Sequence, residues 1–248
     1  LSMHWADYKS SAKKAKAHIG FNLNQSIPAK IILTHGKAGE RPLAGQILEP
    51  GQTGIMDRGY QSYRVFDLLH DAGKLFVCRI KGNTKRTVLS HNAIKPGSLV
   101  FQDSMIILGD PTQINARNTY RLVGYLVGAK KFWLVTNRFD LPAEDIAAIY
   151  KLRWNIESFF AWWKRHLKVY HLIARTQYGL MTQILAGLIA YLLLAIYCHN
   201  EFSEKVSINR VRQLRNHIKN AAHFNSSFLH LKPDRLNDCC KCYLHAIS

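Results

Sequence analysis

From residue 146 to residue 200 the chain carries one acidic side chain, Glu157, and its last part, residues 176–200, holds no Asp, Glu, Lys or Arg. The 146–200 stretch carries six bases: Lys151, Arg153, Lys164, Arg165, Lys168 and Arg175. At about 100° per residue on a helical wheel, Tyr150, Arg153, Glu157 and Lys164 fall within a stripe roughly 60° wide. Leu152, Ile156, Phe159, Phe160, Trp163 and Leu167 fall on a separate face, which is expected to be buried. A lone carboxylate among cations, on a helix anchored by aromatics, points to a metal-binding acid beside a phosphate-binding strip. The same spacing also fits a plain i,i+4 ion pair between Arg153 and Glu157 on a solvated face.

The rest of the composition supports a nucleic-acid partner. The 34 Lys and Arg against 16 Asp and Glu leave a net charge of +18, and such an excess gains affinity for a phosphate backbone by counterion release. A hydrophobic share of 48% in 248 residues supplies a core for one large domain, or for one with an inserted subdomain. The strongly apolar run Ile184–Cys198 is shorter than the about 20 residues a membrane span needs, so a buried core helix is expected and no membrane partner. The chain starts Leu1-Ser2-Met3-His4 without an apolar leader, and its five cysteines are odd in number. Both features point to a cytoplasmic protein with reduced thiols. Cys239, Cys240 and Cys242 lack the spacing of a zinc site.

Alternating segments and turn residues predict strands at 15–24, 28–34, 53–56 and 75–80, a short helix at 40–48 and a longer one at 62–72. Four further strand-like segments lie at 86–90, 98–108, 120–127 and 131–136. Pro142 then opens a helical region that includes Glu157, where a break near residues 153–155 would loosen the wheel, and a second apolar helix covers about 179–199. This order predicts an α/β sheet domain interrupted by a β-rich insertion, with domain limits of 1–200, insertion limits of 82–140 and a basic tail at 201–248. Asp57 ends a strand and precedes a glycine turn, a place where α/β proteins set ligands. Carboxylates such as Asp57 and Glu157 suit Mg²⁺ or Mn²⁺ and phosphoryl-transfer chemistry.

Tyr150-x2-Arg153-x3-Glu157-x6-Lys164, together with Met56-Asp57-Arg58-Gly59-Tyr60, resembles the signature of DDE transposases of the insertion-sequence-four type. The resemblance runs over about residues 1–197. It implies an RNase H-like core with a β-rich insertion before the helix of the catalytic Glu. It also implies metal-dependent hydrolysis of DNA at transposon ends, followed by transfer of the freed 3′-hydroxyl into target DNA. In that frame Asp57 and Glu157 are catalytic and hold the metal, with two Mg²⁺ or Mn²⁺ ions in the complete enzyme. Tyr150, Arg153 and Lys164 grip backbone phosphates, and Phe132 or Trp133 stacks on a flipped base. The partners implied are double-stranded DNA, as terminal inverted repeats and as target, and a second copy on paired ends, at the bacterial nucleoid. The family's first catalytic Asp belongs to a first core strand that would lie before Leu1. A chain without that strand is expected to be inactive. The alternatives are a DNA-binding remnant without catalysis and another RNase H-like nuclease.

Overall fold

The computed structural model describes residues 7–9, 12–13, 15–110, 112–167, 174, 176–204 and scattered positions between 206 and 220. The cysteines at 239, 240 and 242 lie outside the described residues. The chain divides into two compact units, residues 1–189 and 190–248.

The first unit begins with a short ladder of β1 (Asp7–Lys9) and β2 (Ala12–Lys13). An antiparallel hairpin follows, β3 (Ala15–Asn22) and β4 (Ile27–His35), turned by Asn22, whose Oδ1 accepts from the backbone N of Asn24 and Gln25. A 3₁₀ turn at Arg41–Leu43 leads into α1 (Ala44–Ile47). The next elements form a β-α-β unit: β5 (Thr53–Met56), α2 (Tyr63–Asp71) and β6 (Leu75–Arg79), with the two strands parallel and Met56 paired to Cys78. Because that pair is the last in register, Asp57 and Arg79 leave the same end of neighbouring strands.

The expected insertion contributes β7 (Arg86–His91), β8 (Val100–Gly109), β9 (Asn115–Val127) and β10 (Lys130–Thr136). These strands do not form a sheet of their own. β10 returns antiparallel to β6 through Leu134↔Arg79, and the six strands run in the order β5-β6-β10-β9-β8-β7. Alternation along β6 and β10 divides the core between two faces. Phe76, Cys78 and Val135 join Phe66 and Leu69 of α2 on one face. Val77 and Leu134 join Ile146, Ala147 and Tyr150 of α3 (Ala143–Lys151) on the other.

Buried carboxylates fix both helical layers to the sheet. Asp67 of α2 accepts from the backbone N of Arg117 (3.0 Å) and Asn118 (3.1 Å), from Asn118 Nδ2 (3.2 Å) and from Tyr120 Oη (2.7 Å). Burial pulls its pKa up, but these donors outweigh burial and hold it below the usual carboxylate range. On the other face Arg121 makes a bidentate pair with Asp103 (2.9 and 2.7 Å), and its Nη1 donates to Leu141 O (2.5 Å). Because Leu141 lies just before α3, the Asp103–Arg121 pair sets where that helix starts.

The helical region after Pro142 is two helices. α3 stops at Lys151, and α4 (Trp154–Leu167) begins after a junction bonded i to i+3: Arg153 N to Tyr150 O, and Asn155 N to Leu152 O. This tighter winding shifts the phase of the wheel. Phe159 and Trp163 are buried as expected, but Leu152 is 44% exposed, which corrects its place on the apolar face. Phe159 packs on Phe21 of the hairpin (4.9 Å between centroids) and stacks on Trp163.

The apolar helix α5 (Gln177–Phe202) corrects another expectation: 22% of its most apolar stretch is buried. Leu180, Ile184 and Leu188 are buried, but Ile189, Leu193 and Ile196 are exposed. Apolar side chains surround this helix, so its sequence marks no inward face.

Candidate active site

The C-terminal ends of parallel strands collect ligand-binding groups because the following turns open there. Asp57 occupies that position. Its backbone is still extended (φ −83°, ψ −177°), and its Oδ1 caps the 3₁₀ turn Arg58–Tyr60 by accepting from Gly59 N at 2.8 Å. Its carbonyl accepts from the buried Cys78 Sγ at 3.3 Å, which ties the turn to the next strand. The carboxylate is exposed. Gly59 has to be small here, since a Cβ would stand 3.0 Å from Asp57 Oδ1. The same point lies 3.6 Å from Glu40 Oε2, so a second carboxylate reaches the turn. Glu40 is already paired to Lys16 (3.0 Å), and Arg41 Nε donates to Gly59 O (3.0 Å). Burial, followed by the charges of Glu40 and Asp57, pushes the Tyr60 hydroxyl up to about 12. Sequence reasoning missed Glu40, which has no spacing relation to Asp57.

Glu157 is held by Arg153, with Nη1 to Oε1 at 2.5 Å across one helical turn. The ion pair allowed by the i,i+4 spacing is therefore formed. It does not satisfy Arg153, whose Nε is buried with no hydrogen-bond partner among the described residues, as is the hydroxyl of Tyr150 beside it. The Arg153 Cζ is 5.6 Å from the Tyr150 ring centroid. Burial raises the Tyr150 pKa against the charge and close approach of the Arg153 guanidinium and the charge of Arg79. Burial works against the charge on Arg153, and Glu157 and Tyr150 together more than offset it, leaving the pKa raised.

Arg79 was not expected from sequence. It lies on the face of α3, stacked over Phe132 at 4.3 Å, and its charge is felt by both Tyr150 and Tyr125. Tyr125 is pushed up to about 12, chiefly by burial. Position 79 ends a strand and shares no helical period with 150 or 153, so no local pattern could have marked it. Together Arg79, Arg153 and Tyr150 form a buried-to-half-buried cluster that can donate to a phosphate oxygen. Lys164 lies on α4, with its side chain outside the described residues.

Phe132 and Trp133 point to opposite faces of the sheet. Phe132 meets Tyr125 (5.4 Å) under Arg79, and Trp133 meets Phe101 edge-on (5.0 Å) under Arg86 (4.5 Å). Gly124 makes room for that second pair, since a Cβ there would stand 2.7 Å from the Phe101 ring. Each ring thus carries a guanidinium on a face a base would need. As metal ligands, the carboxylates of Asp57 and Glu157 fit Mg²⁺ or Mn²⁺ in kind. They fall short in number: among the described residues no three His, Cys, Asp or Glu side chains gather to hold an ion.

Residues 2–193 match the family model described as a transposase DDE domain. The chain is 28% identical over 214 residues to a protein of Geobacillus stearothermophilus named "Probable transposase for insertion sequence element IS5377", covering 85% of this chain and 57% of that one. It is 30% identical over 203 residues to "Putative transposase y4zB" of Sinorhizobium fredii, covering 77% and 56%. Against "Putative transposase for insertion sequence element IS4SA" of Synechocystis it is 28% identical over 209 residues, covering 82% and 59%. The matched part is thus little more than half the length of these relatives.

Proposed function

The chain belongs to the DDE transposase family, and on that premise we propose that it carries the phosphodiester-binding and acid-bearing surface of a DNA transposase with an RNase H-like core. The substrate is double-stranded DNA, as transposon end and as target, and the reaction is hydrolysis at the end followed by transfer of the 3′-hydroxyl. The observation that carries the reading is the donor cluster of Arg79, Tyr150 and Arg153, two of whose buried polar atoms lack a partner beside Glu157. A phosphate satisfies such donors without reorganisation, and charge-assisted bonds from Arg are about twice as strong as neutral ones.

In this reading Tyr150, Arg153 and Arg79 hold a phosphate of the bound strand, with Lys164 as a further contact. Phe132 serves to hold Arg79 flat rather than to stack on a base. Engagement of Arg153 by phosphate releases Glu157. Asp57 stays fixed by Gly59 N and Cys78, and its remaining carboxylate oxygen faces outward. A divalent cation, when bound, supplies Lewis acidity and activates the attacking oxygen. Asp57 and Glu157 are the residues of this chain that would hold it. Family membership is also the reason to read α5 as a surface for protein, including a second copy on paired ends, rather than for lipid.

The test is Mg²⁺- or Mn²⁺-dependent nicking, by the chain joined to an upstream strand that carries a further Asp, of a duplex bearing the terminal repeat that flanks the gene. Nicking that persists in Glu157→Ala refutes the assigned mechanism. A second reading, DNA binding without catalysis, has its own support in the Arg153–Glu157 pair, which occupies the carboxylate. Duplex binding that is indifferent to chelator, with no nicking even by the chain joined to that upstream strand, selects it.

A further inference from the structure

The turn that carries Asp57 is bonded to a second basic segment, on the opposite face from Tyr150. Gln61, the residue after the 3₁₀ turn, receives Lys81 N on its Oε1 (3.0 Å) and donates Nε2 to Thr84 Oγ1 (2.9 Å). Thr84 Oγ1 in turn donates to Lys81 O (2.7 Å). The loop Lys81-Gly82-Asn83-Thr84-Lys85 is therefore closed on itself and on Gln61. Arg86 completes the closure: its Nη1 donates to Gly82 O and Thr84 O (both 3.3 Å) while its guanidinium covers Trp133. Gly82 also abuts Trp133, since a Cβ there would stand 3.4 Å from the indole Nε1. Trp133 packs with the core under α2, whereas Phe132 and Tyr150 pack with the core under α3. The two basic groups accordingly flank the end of β5 and β6 from opposite sides.

What the loop offers outward is charge without a partner. The Lys81 side chain is exposed and makes no ion pair or hydrogen bond among the described residues, and Asn83 is exposed next to it. Lys85 differs, because Asp110 holds it at 2.8 Å. A cleft of about 340 Å³ lies beside the loop, lined by Gln61, Tyr63, Lys81, Asn83 and Gln113 among others. Amide, hydroxyl and ammonium groups, the mixture that contacts phosphate and sugar, line it together with Ile114 and with the Asp110 carboxylate, which Lys85 neutralises.

We propose that the Lys81–Arg86 loop is a second phosphodiester-binding strip, on the opposite face of the sheet from Tyr150 and Arg153 and held in register with Asp57 by Gln61. This inference rests on the transposase reading and extends it to a new contact. Lys81 contacts a backbone phosphate directly, and Gln61 is a positioning residue that acts through the loop. Transposon-end and target DNA share this chemistry, and the test separates them.

Binding of the chain to a terminal-repeat duplex and to an unrelated duplex is measured from 50 to 300 mM salt, on the order used to resolve counterion release. Loss of one phosphate contact lowers the slope of log affinity against log salt by about 0.9. Lys81→Ala is expected to produce that change on at least one duplex, and the duplex affected names the source of the DNA. Gln61→Ala removes no charge yet lowers the slope in the same direction, an outcome a merely structural role does not give. Lys85→Ala, whose charge Asp110 already neutralises, changes the slope less than Lys81→Ala. A Lys81→Ala slope equal to that of the unaltered chain on both duplexes overturns the proposal. A Gln61→Ala slope equal to it overturns the registering role. Arg153→Ala is run in parallel: if it lowers the slope and Lys81→Ala does not, this inference fails and the transposase reading stands. If the unaltered chain binds neither duplex, both fail.

Discussion

On the proposed reading a metal at Glu157 and a phosphate at Arg153 each displace the same Arg153–Glu157 ion pair, so the two ligands favour one another, and Arg153→Ala removes that coupling. The Arg153 side chain is 16% exposed and that of Glu157 is 43% exposed, so solvent screens the pair from the carboxylate side. That places its worth near the surface end of the range, about 0.3–1 kcal/mol. A cation that uses Glu157 has to displace this interaction, so removing Arg153 should tighten Mn²⁺ binding about 2- to 5-fold in the absence of DNA. Loss of the positive neighbour acts in the same direction and makes that a lower bound. Reciprocity then applies: a phosphate that takes Arg153 frees Glu157, so DNA should raise Mn²⁺ affinity in the unaltered chain, by the factor that Mn²⁺ raises DNA affinity. Titration of free Mn²⁺ by electron paramagnetic resonance, with and without duplex, measures both. The reasoning is refuted if Arg153→Ala binds Mn²⁺ no more tightly than the unaltered chain, or if DNA raises Mn²⁺ affinity equally in both.

Three further outcomes are expected. Tyr150→Phe removes a buried hydroxyl that has no partner, so urea unfolding should show unchanged or higher stability, by up to about 1 kcal/mol, while duplex affinity falls. A stability loss above that size would mean the hydroxyl is satisfied in solution. Asp67→Ala strands four donors on β9 and should cost about 3–5 kcal/mol in the same measurement; a loss below 1 kcal/mol would show that α2 is held by packing alone. Asp67 and Asp103 both have folded pKa values below the ordinary one. Their contribution is therefore complete above the unfolded pKa of about 3.9 and is lost as pH falls through the lower folded values. Thermal melts should decline below about pH 4, and Asp67→Asn should flatten that decline.

How much of this was legible in the sequence depended on the range of the interaction. Strands such as Thr53–Met56 and Lys130–Thr136, and the helix Tyr63–Asp71, follow from alternation, helical period and Gly or Pro punctuation, which are local. That β10 would pair with β6 and carry the inserted strands into the main sheet was not legible, because the pairing joins residues over 50 positions apart and no local signal encodes it. The break expected near residues 153–155 is formed at the junction of α3 and α4, although neither Pro nor Gly announces it. Arg79 reaches the site only through the β6–β10 pairing, so it stayed hidden for the same reason.

The spacing of Arg153 and Glu157 was legible but ambiguous, since a helix-stabilising pair and a resting active-site pair have the same separation. The buried atoms beside them are what the proposed reading rests on. A pair kept for helix stability returns about 0.3–1 kcal/mol. Burying Arg153 Nε and Tyr150 Oη without acceptors costs about 1–3 kcal/mol for each group. The arrangement therefore loses stability on its own account in a chain that had the option of Lys or Phe at these positions. Such a deficit is sustained where a ligand later supplies the acceptor, and an oxygen-rich anion is the ligand these donors select. On the proposed reading the Glu157 ion pair is the state of the site without DNA, and these donors are where a phosphate would bind.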